Sequence, residues 1–380
     1  MRNKVRTLLV VVLAIGAGLS ARSNAQNNAE KDESAGAVFV MTNAAERNAI
    51  IAYKRSADGS LSESHTFSTG GRGSGGNTDP LESQGSLTLS QDHSFLLAVN
   101  AGSGEISVFR VHGARLTLVD KVPCGGSEPV AVAEHGKHVY VVNAGGNSNV
   151  VGFRFDDEGR LKPIDGSITF LSTSDSGPGS VSFSPDGRFL LVTEKLTNSI
   201  DVFAVNGDGT LGPIVVNPST GPGAFAVLFE PNGTALVSET GPSAGHNASA
   251  ISSYAVRSNG KLSTISTSVP TLGAATCWLA VTPDGRFVYT DNAGTANVSG
   301  FSTGSNGALT AIGETVLGTL PTGSTNLDMA ISSDGKFLYT LDSGTGTVGI
   351  FSINSNGTLN SLGEVDGLPA TIGFNGIAAI

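Results

Sequence analysis

A four-residue turn sequence recurs along this chain about every 50 residues: an acidic or amide residue, a glycine, any residue and a leucine. Its regular copies lie at residues 58–61, 158–161, 208–211, 259–262, 306–309 and 356–359, and a longer copy lies at 112–116. A fixed period of this length indicates a repeat architecture. The repeat constrains the fold more than any other feature, and it makes any unit that departs from the pattern visible.

Each repeat unit reads as four β-strands. In the fourth unit, apolar segments at 181–184 and 189–192 flank a Pro-Asp-Gly turn, and an alternating segment at 199–205 leads into the turn at Asp208. The segments that read as second strands lie at 38–41, 95–99, 139–142, 189–192, 235–238, 287–290 and 337–341. Seven such units predict an all-β fold, a seven-bladed β-propeller with four-stranded blades. No segment has a sustained 3.6-residue period, which excludes a helical solenoid.

The two ends of the repeat region complement each other. The first unit starts at a second strand, near Ala37, and a sequence suited to its missing first strand comes last, at 376–380. We therefore expect blade one to be closed by both termini, which removes the open sheet edges of the ring.

The first 25 residues have the features of an export signal. A basic start (Arg2, Lys4, Arg6) precedes an apolar run at 8–19 and a small-x-small cleavage site that ends at Ala25. The apolar run is too short for a membrane-spanning helix. We expect a signal peptide at 1–25, a flexible segment at 26–35 and the propeller at 36–380, in a protein exported to the periplasm or the extracellular space.

Charge and cysteine content limit the partners. The formal net charge is −10, and removal of the basic signal peptide makes the balance more acidic. Nucleic acid and anionic membranes select basic surfaces, so neither is an expected partner. Cys124 and Cys277 fall in blades three steps apart, beyond the reach of a disulfide, so we expect both to be unpaired. We expect a monomer that binds a small molecule at the mouth of the central channel.

The two faces of the predicted propeller differ in their loops. The short Asp-Gly and Gly-x-Leu turns share one face, whereas the opposite face carries the uneven loops at 68–85 and 240–250. Function tends to lie on loops held by a rigid scaffold, so the uneven face is the candidate, although long loops are also tolerated as plain insertions.

One polar position recurs on the uneven face, just after each second strand. Around the ring it holds Asn43, Asn100, Asn143, Glu194, Glu239, Asn292 and Asp342. Asn and Asp are ordinary turn residues, but glutamate is not, so Glu194 and Glu239 are the candidate catalytic carboxylates. Such a ring of oxygens would also suit a hard cation such as Ca²⁺, but no compact metal-binding motif is present.

Three further residues complete the candidate site. His246 lies in the 240–250 loop as an acid–base partner for Glu239 or as a solvated loop residue. Arg72 lies in the glycine-rich part of the loop at 68–85. It would either bind an anion or simply lie at the tip of a mobile loop. Trp278, the single tryptophan, is either core filling or a floor for a ring-shaped ligand. Asn143, Asn292 and Asp342 join Arg72 and Trp278 as predicted substrate-binding residues.

The ordered set of repeat sequences resembles a known family. Ser-Pro-Asp-Gly-Arg-Phe at 184–189, the segment 95–109, the Gly-x-Leu turns and Cys-Trp-Leu-Ala-Val-Thr-Pro-Asp-Gly at 277–285 are similar to the lactonase family of seven-bladed propellers. That family includes bacterial 6-phosphogluconolactonases and fungal carboxymuconate-cyclising enzymes. The resemblance implies hydrolysis of a lactone and a functional glutamate at Glu194.

The resemblance breaks at the start of blade four. Hydrolytic family members have Gly-Pro-Arg-His there, and this chain has Gly177, Pro178, Gly179 and Ser180. Loss of a positioned electrostatic group usually costs a factor of roughly 10²–10³ in rate, which disfavours a phosphosugar lactone. Two hypotheses follow: a hydrolase of an unphosphorylated lactone or related cyclic ester, with Glu194 activating water, or a non-catalytic propeller that binds a small ligand or a protein.

Overall fold

The computed structural model describes residues 35–77, 79–242, 248–370 and 373–380. The predicted signal peptide, nearly all of the predicted flexible segment and His246 lie outside the described residues. The described chain forms seven antiparallel sheets joined in a ring, which confirms the predicted seven-bladed, all-β propeller. It contains no helix that could cross a membrane.

The strands follow one another blade by blade. Blade 1 contains β1 (Gly36–Met41), β2 (Ala49–Arg55) and β3 (Leu61–Ser68); blade 2 contains β4 (Leu87–Leu89), β5 (Phe95–Asn100), β6 (Glu105–His112) and β7 (Arg115–Pro123); blade 3 contains β8 (Ser127–His135), β9 (His138–Gly145), β10 (Asn149–Phe155), β11 (Leu161–Pro163) and β12 (Thr169–Phe170); blade 4 contains β13 (Pro178–Phe183), β14 (Phe189–Glu194), β15 (Ser199–Ala204) and β16 (Val215–Pro218). Blade 5 contains β17 (Ala224–Phe229), β18 (Thr234–Glu239), β19 (Ala250–Val256) and β20 (Leu262–Pro270); blade 6 contains β21 (Thr276–Val281), β22 (Phe287–Asn292), β23 (Asn297–Thr303) and β24 (Leu309–Thr319); blade 7 contains β25 (Asn326–Ile331), β26 (Phe337–Asp342), β27 (Thr347–Ile353) and β28 (Leu359–Asp366); and β29 (Ile377–Ala379) returns to blade 1.

The second strand of each blade forms most of the core. β5, β14, β18, β22 and β26 are buried at every position, because each blade packs both of its faces on neighbouring blades. The outer strands, such as β3 and β28, are mostly exposed. Cys124 and Cys277 are buried and free, as expected from their separation around the ring.

Blade 1 is closed by both termini, as predicted. β29 pairs antiparallel with β1, and Val38, Phe39 and Val40 face Ala379, Ala378 and Ile377. Arg55, which is 1% exposed, fastens this junction. Its Nε donates to the carbonyl oxygen of Ile380 at 3.0 Å, and its Nη2 donates to the carbonyl oxygen of Ala35 at 3.0 Å. One buried guanidinium thus holds both ends of the described chain.

The Gly-x-Leu turns also join blades. In six cases a residue of the preceding blade donates a hydrogen bond of 2.5–3.3 Å to a carbonyl oxygen in the turn; the pairs are Tyr339–Gly59, Arg110–Glu158, Tyr140–Gly209, Asn217–Gly260, Ser253–Gly307 and Tyr289–Gly357. Gly209 has a φ of 82°, a conformation that favours glycine. The recurring turn therefore serves blade-to-blade packing.

Candidate functional site

The polar ring at the ends of the second strands is buried. All seven members are at most 1% exposed: Asn43, Asn100, Asn143, Glu194, Glu239, Asn292 and Asp342. In blade 2, Asn100 accepts a hydrogen bond from Thr69 Oγ1 at 2.6 Å and donates to Ser107 Oγ at 2.8 Å. Thr69 belongs to the connection from blade 1, and Ser107 lies on the third strand. In blade 2 the ring position therefore ties the incoming connection to its blade.

Glu194 and Glu239 occupy this position with all the donors that a carboxylate needs. Glu194 Oε1 accepts from the Ser172 amide at 2.9 Å, and Oε2 accepts from the hydroxyls of Ser172 and Thr197 at 2.5 Å. Glu239 Oε1 accepts from the Gly221 amide at 2.9 Å and from Ser252 Oγ at 2.6 Å. Each glutamate holds the connection that leads into its own blade.

The other predicted ligand-binding residues are dispersed. Three of them, Asn143, Asn292 and Asp342, lie in the buried ring. Trp278 is 0% exposed within the core of blade 6. Arg72 is exposed at the edge of blade 2, near Glu105, whose pKa is lowered against the effect of burial mainly by Lys121 and Ser103 and least by the charge of Arg72. The side chains of Asn143, Asn292, Asp342 and Trp278 have no accessible surface, so they cannot contact a ligand in this conformation. Their role in binding stays a prediction.

The last residues of the long loop at 68–85 cross the central channel. We call residues 79–86 the channel segment. Ser83 Oγ donates to Val130 O of blade 3 at 2.8 Å, and the Gln84 amide donates to Gly179 O of blade 4 at 2.8 Å. On the far side, Gln84 Nε2 donates to Leu279 O of blade 6 at 2.7 Å. The segment is thus bonded to inner strands around the ring and obstructs the channel.

Four polar residues gather where the channel segment begins, and we call them the mouth cluster: Asp79, Glu82, Lys195 and Asn375. Asp79 Oδ1 accepts from the Glu82 amide at 2.9 Å and from Asn375 Nδ2 at 3.1 Å. Lys195 Nζ lies 3.3 Å from Glu82 Oε2. All of these except Asn375 are partly or fully exposed, so the cluster is open to a ligand from the uneven face.

The electrostatics of the mouth cluster suit acid–base work. Partial burial raises the pKa of Asp79 to about 6, although its hydrogen bonds and the charge of Lys195 act in the opposite direction. Burial lowers the pKa of Lys195, and the carboxylates of Glu82 and Asp79 oppose that change. Lys195 Nζ also lies 5.3 Å from the centroid of the Phe225 ring, a cation–π contact. A base with a pKa near neutral therefore lies in the field of a positioned cation.

Sequence reasoning did not select Asp79 or Lys195. Lys195 follows Glu194, and alternation along the strand turns its side chain away from the buried ring towards the mouth. Asp79 precedes a proline inside the longest insertion. The available signal was that an ionisable residue flanks Glu194 and another lies in the loop already singled out for function.

The start of blade 4 has no room for the arginine found in the similar family. A Cβ atom on Gly179 would lie 2.4 Å from the carbonyl oxygen of Phe225. The carbonyl oxygen of Gly179 also accepts a hydrogen bond from the Gln84 amide of the channel segment. The glycine is thus required by close backbone packing between blades 4 and 5.

No cluster of three or more histidine, cysteine, aspartate or glutamate side chains suited to a metal ion occurs among the residues that the structure describes. The buried ring offers amide and carboxylate oxygens, but most of them already accept hydrogen bonds within the protein, as in Asn100 and Glu194. Residues of the mouth cluster supply two carboxylates beside one ammonium group.

Comparison with known proteins gives a family match and a set of similar folds. The model of the family described as lactonase, 7-bladed β-propeller, matches residues 37–172, 130–277 and 237–373. No curated protein sequence matches the chain.

The similar solved structures share the fold at low identity. A candidate 6-phosphogluconolactonase from Bacteroides uniformis has a TM-score of 0.67 at 18% identity, over 91% of this chain and 99% of that one. A periplasmic gluconolactonase from Pseudomonas aeruginosa has a TM-score of 0.67 at 18% identity, over 90% of this chain and 99% of that one. A candidate 6-phosphogluconolactonase from Bacteroides fragilis has a TM-score of 0.66 at 18% identity, over 92% and 98%. At these identities the likeness establishes the architecture alone.

Proposed function

Because the chain belongs to the lactonase family of seven-bladed β-propellers, we propose that it hydrolyses a lactone or a related cyclic ester at the mouth cluster. The observation that carries this proposal is the position of Asp79 beside Lys195, at an accessible site on the face with the uneven loops. A general base and a cation are the two groups that ester hydrolysis by water requires.

Asp79 is the water-activating group in this proposal. Its pKa of about 6 leaves the carboxylate largely ionised at neutral pH while keeping it basic enough to take a proton from water. Asn375 Nδ2, at 3.1 Å from Oδ1, and the Glu82 amide hold that oxygen in place. The second oxygen, Oδ2, accepts the proton as water attacks the ester carbonyl carbon, and it returns that proton to the ring oxygen when the acyl C–O bond breaks, which leaves the hydroxy acid and the regenerated carboxylate.

Lys195 stabilises the negative charge that develops on the carbonyl oxygen. Its ammonium group is positioned by Glu82, whose Oε2 lies 3.3 Å away, and by the face of the Phe225 ring. In the family that this chain resembles, an arginine at the start of blade four has the corresponding electrostatic role. Here Gly179 occupies that place, so Lys195 supplies the positive charge from the neighbouring strand.

The substrate class follows from the balance of charge. The mouth cluster contains two carboxyl groups and one ammonium group, and Lys195 is already paired with Glu82. A phosphorylated sugar lactone would bring further negative charge to this site without a free cation to receive it. We therefore propose an unphosphorylated lactone. Export to the periplasm or beyond, from the sequence of residues 1–25, belongs to the same proposal and fits such a substrate.

Glu194 acts indirectly in this proposal. Its carboxylate is 0% exposed and holds Ser172 and Thr197. Lys195 is the next residue, so the anchoring of Glu194 fixes the backbone from which the ammonium group extends. The earlier hypothesis, in which Glu194 itself activates water, makes a different prediction for the isosteric amide variant.

A non-catalytic, ligand-binding propeller is the second candidate function. Replacement of the family's Arg-His by Gly179 and Ser180 favours it, since both of those groups act in hydrolytic members. In this case the mouth cluster would bind a small polar molecule, and no lactone would be turned over.

The test is a panel of neutral and phosphorylated lactones assayed with wild type, Asp79→Asn, Lys195→Met and Glu194→Gln. We expect hydrolysis of a neutral lactone that falls at least about 100-fold in Asp79→Asn and in Lys195→Met. Loss of turnover in Glu194→Gln alone would restore Glu194 as the base. Absence of turnover on every lactone, together with calorimetric binding of one of them, would establish the binding function.

The matched control is Glu239→Gln, which changes the equivalent buried glutamate in blade 5. Glu239 has the same donor-rich environment as Glu194 but no contact with the mouth cluster. Loss of activity in both glutamine variants, with a loss of thermal stability, would indicate a structural effect. Assays with and without a chelator test a bound cation such as Ca²⁺.

A further inference from the structure

Blade 4 differs from its neighbours at one pair of positions. In blades 2, 4, 5 and 6 one residue of the third strand contacts the side chain at the ring position. That third-strand residue pairs with the second-strand residue two places before the ring position. In blade 4 the third-strand residue is Asp201, which pairs with Val192. The third-strand residue is serine in blades 2, 5 and 6, namely Ser107, Ser252 and Ser299. Only blade 4, of the seven, combines a carboxyl group at the ring position with a carboxyl group on the third strand.

The equivalent pairs in other blades are in direct contact. Asn100 Nδ2 donates to Ser107 Oγ at 2.8 Å, Ser252 Oγ donates to Glu239 Oε1 at 2.6 Å, and Asn292 Nδ2 donates to Ser299 Oγ at 2.8 Å. In each of these contacts one of the two side chains supplies a hydrogen. The repeat geometry therefore places Asp201 against Glu194, with no hydrogen available if both are ionised.

Asp201 is poorly supplied with hydrogen-bond donors within the described part of the chain. It is 0% exposed. Among the described residues no side chain donates to its carboxyl oxygens, and the one nearby backbone donor, the Ser172 amide, is already bonded to Glu194 Oε1. A buried, ionised carboxylate without donors is very unfavourable, and two ionised carboxylates in contact are more so. Glu194 already accepts hydrogen bonds from Ser172 and Thr197, so the hydrogen that the contact between the two carboxyl groups requires belongs on Asp201.

We propose that Asp201 and Glu194 share a single proton, which Asp201 carries and donates to Glu194, so that blade 4 contains a proton-dependent latch. The latch holds Ser172, and hence the connection between blades 3 and 4, against the second strand. Burial and, after it, the contact with Glu194 together raise the pKa of Asp201 to about 8, against the opposing effect of the Ser172 amide. This inference concerns blade 4 itself and does not depend on the proposed function.

Among the residues that the structure describes, Glu194 is the one charged group that acts on the pKa of Asp201. The strands bonded to Asp201's strand are β14 and β16, in which Glu194 is the sole titratable side chain. On the connection, Asp175 is exposed, and Lys195 points to the mouth, where it pairs with Glu82. In the adjacent blade 5, Glu239 is fully occupied by its own donors.

The direction of the pH effect follows from linkage. An aspartate in the unfolded chain has a pKa of about 3.9, so between that value and about pH 8 folding takes up one proton at this pair. The folding equilibrium constant therefore falls by up to about tenfold per pH unit across this interval. Above the interval Asp201 loses its proton and the latch is weakened.

The test compares the pH dependence of stability in wild type and Asp201→Asn. The amide is isosteric, donates to Glu194 through Nδ2 and cannot titrate. Other buried acids add to the wild-type slope, so the difference between the two proteins is the relevant quantity. We expect denaturant unfolding at pH 5 to 9 to give, for Asp201→Asn, a slope of the unfolding free energy against pH that is smaller than that of wild type by close to one linked proton. An unchanged slope would overturn the proposal.

Two further measurements keep the test decisive if a variant folds poorly. The infrared difference spectrum of wild type minus Asp201→Asn, in which the bands of the other buried acids cancel, should contain one protonated-acid carbonyl band at pH 6 that is lost above about pH 8. Ser252→Asp places the same pair in blade 5, beside Glu239, and should add one linked proton to the slope. A wild-type infrared spectrum that contains the same bands as Asp201→Asn would contradict the shared proton.

Discussion

The indole Nε1 of Trp278, on the inner strand of blade 6, donates a hydrogen bond to the carbonyl oxygen of Ser83 at 2.9 Å. Ser83 belongs to the channel segment that leads into blade 2, so this bond spans the channel. The ring of Phe225 packs edge-on against the indole with centroids 5.0 Å apart. The single tryptophan therefore fixes the channel segment from the opposite side of the propeller.

Trp278→Phe should loosen the channel segment. The substitution leaves Ser83 O without a donor and opens a small cavity, at a cost of about 2 kcal/mol in the free energy of unfolding. Hydrogen exchange should accelerate at residues 79–86 more than in the blades. Phe225→Leu is the matched control, because it removes the ring contact but no hydrogen bond. Equal exchange rates at 79–86 in wild type and Trp278→Phe would contradict the role assigned to this bond.

Deletion of residues 374–380 should abolish cooperative unfolding. The deletion removes β29, leaves the edge of β1 unpaired and takes away the Ile380 carbonyl that Arg55 binds. Buried Phe374 is lost as well. Calorimetry should show a broad, low-enthalpy transition for the truncated chain. A truncated protein that melts as sharply as wild type, at the same temperature, would rule out closure by the two termini.

The architecture was predictable because it depends on a pattern repeated seven times. Each Gly-x-Leu turn and each apolar second strand supports the same register, so errors at one unit are corrected by the others. The closing strand was predictable from what the first unit lacks. These features need only local sequence and the period of the repeat.

The candidate site was less predictable because it depends on contacts that span the ring. Glu194 stood out in the sequence, but its burial beneath Ser172 is a consequence of the repeat geometry. Asp79 and Lys195 are more than 100 residues apart in the chain. The path of the channel segment brings them together, and no periodic signal marks that path.

Gly179→Ala should destabilise the protein by about 1–3 kcal/mol, the usual cost of overpacking. The added methyl would lie 2.4 Å from Phe225 O, and rigid backbone on both sides limits relaxation. Gly207→Ala is the control, since a Cβ there meets nothing within 4 Å. Chemical denaturation measures both. If Gly179→Ala and Gly207→Ala are equally stable, close packing is not the reason that glycine replaces the family's arginine.

Asp291 should tolerate replacement by serine. In blade 5 the equivalent residue, Ser238, accepts the Ala226 amide at 3.0 Å and donates to the Cys277 carbonyl. Asp291 Oδ1 accepts the equivalent amide, of Trp278, at 3.1 Å. Asp291 Oδ2 is buried and has no partner among the described residues. By analogy with Ser238 we expect it to face the equivalent carbonyl, of Leu327, which only a protonated acid can bond.

The stability of Asp291→Ser relative to wild type should therefore increase with pH. Burial raises the pKa of Asp291 well above its usual value, so wild type takes up a proton on folding and loses up to about 1.4 kcal/mol per pH unit above pH 4. Serine removes this loss and keeps both hydrogen bonds. Asp291→Ala keeps neither bond and should be less stable than Asp291→Ser at every pH. Parallel pH profiles for wild type and Asp291→Ser would show that Asp291 folds in its ionised form.

The pH dependence of lactone hydrolysis should report the ionisation of Asp79. The base must be unprotonated, so kcat/KM should fall about tenfold per unit as the pH decreases below about 6. Asp79→Asn removes the titrating group and should leave only a residual rate without this acidic limb. Lys195→Met should lower the rate across the range but keep the limb, displaced to higher pH, because the ammonium group no longer lowers the pKa of Asp79. A limb that persists unshifted in Asp79→Asn would assign the general base to another carboxylate, and repetition in Glu194→Gln would determine whether that group is Glu194.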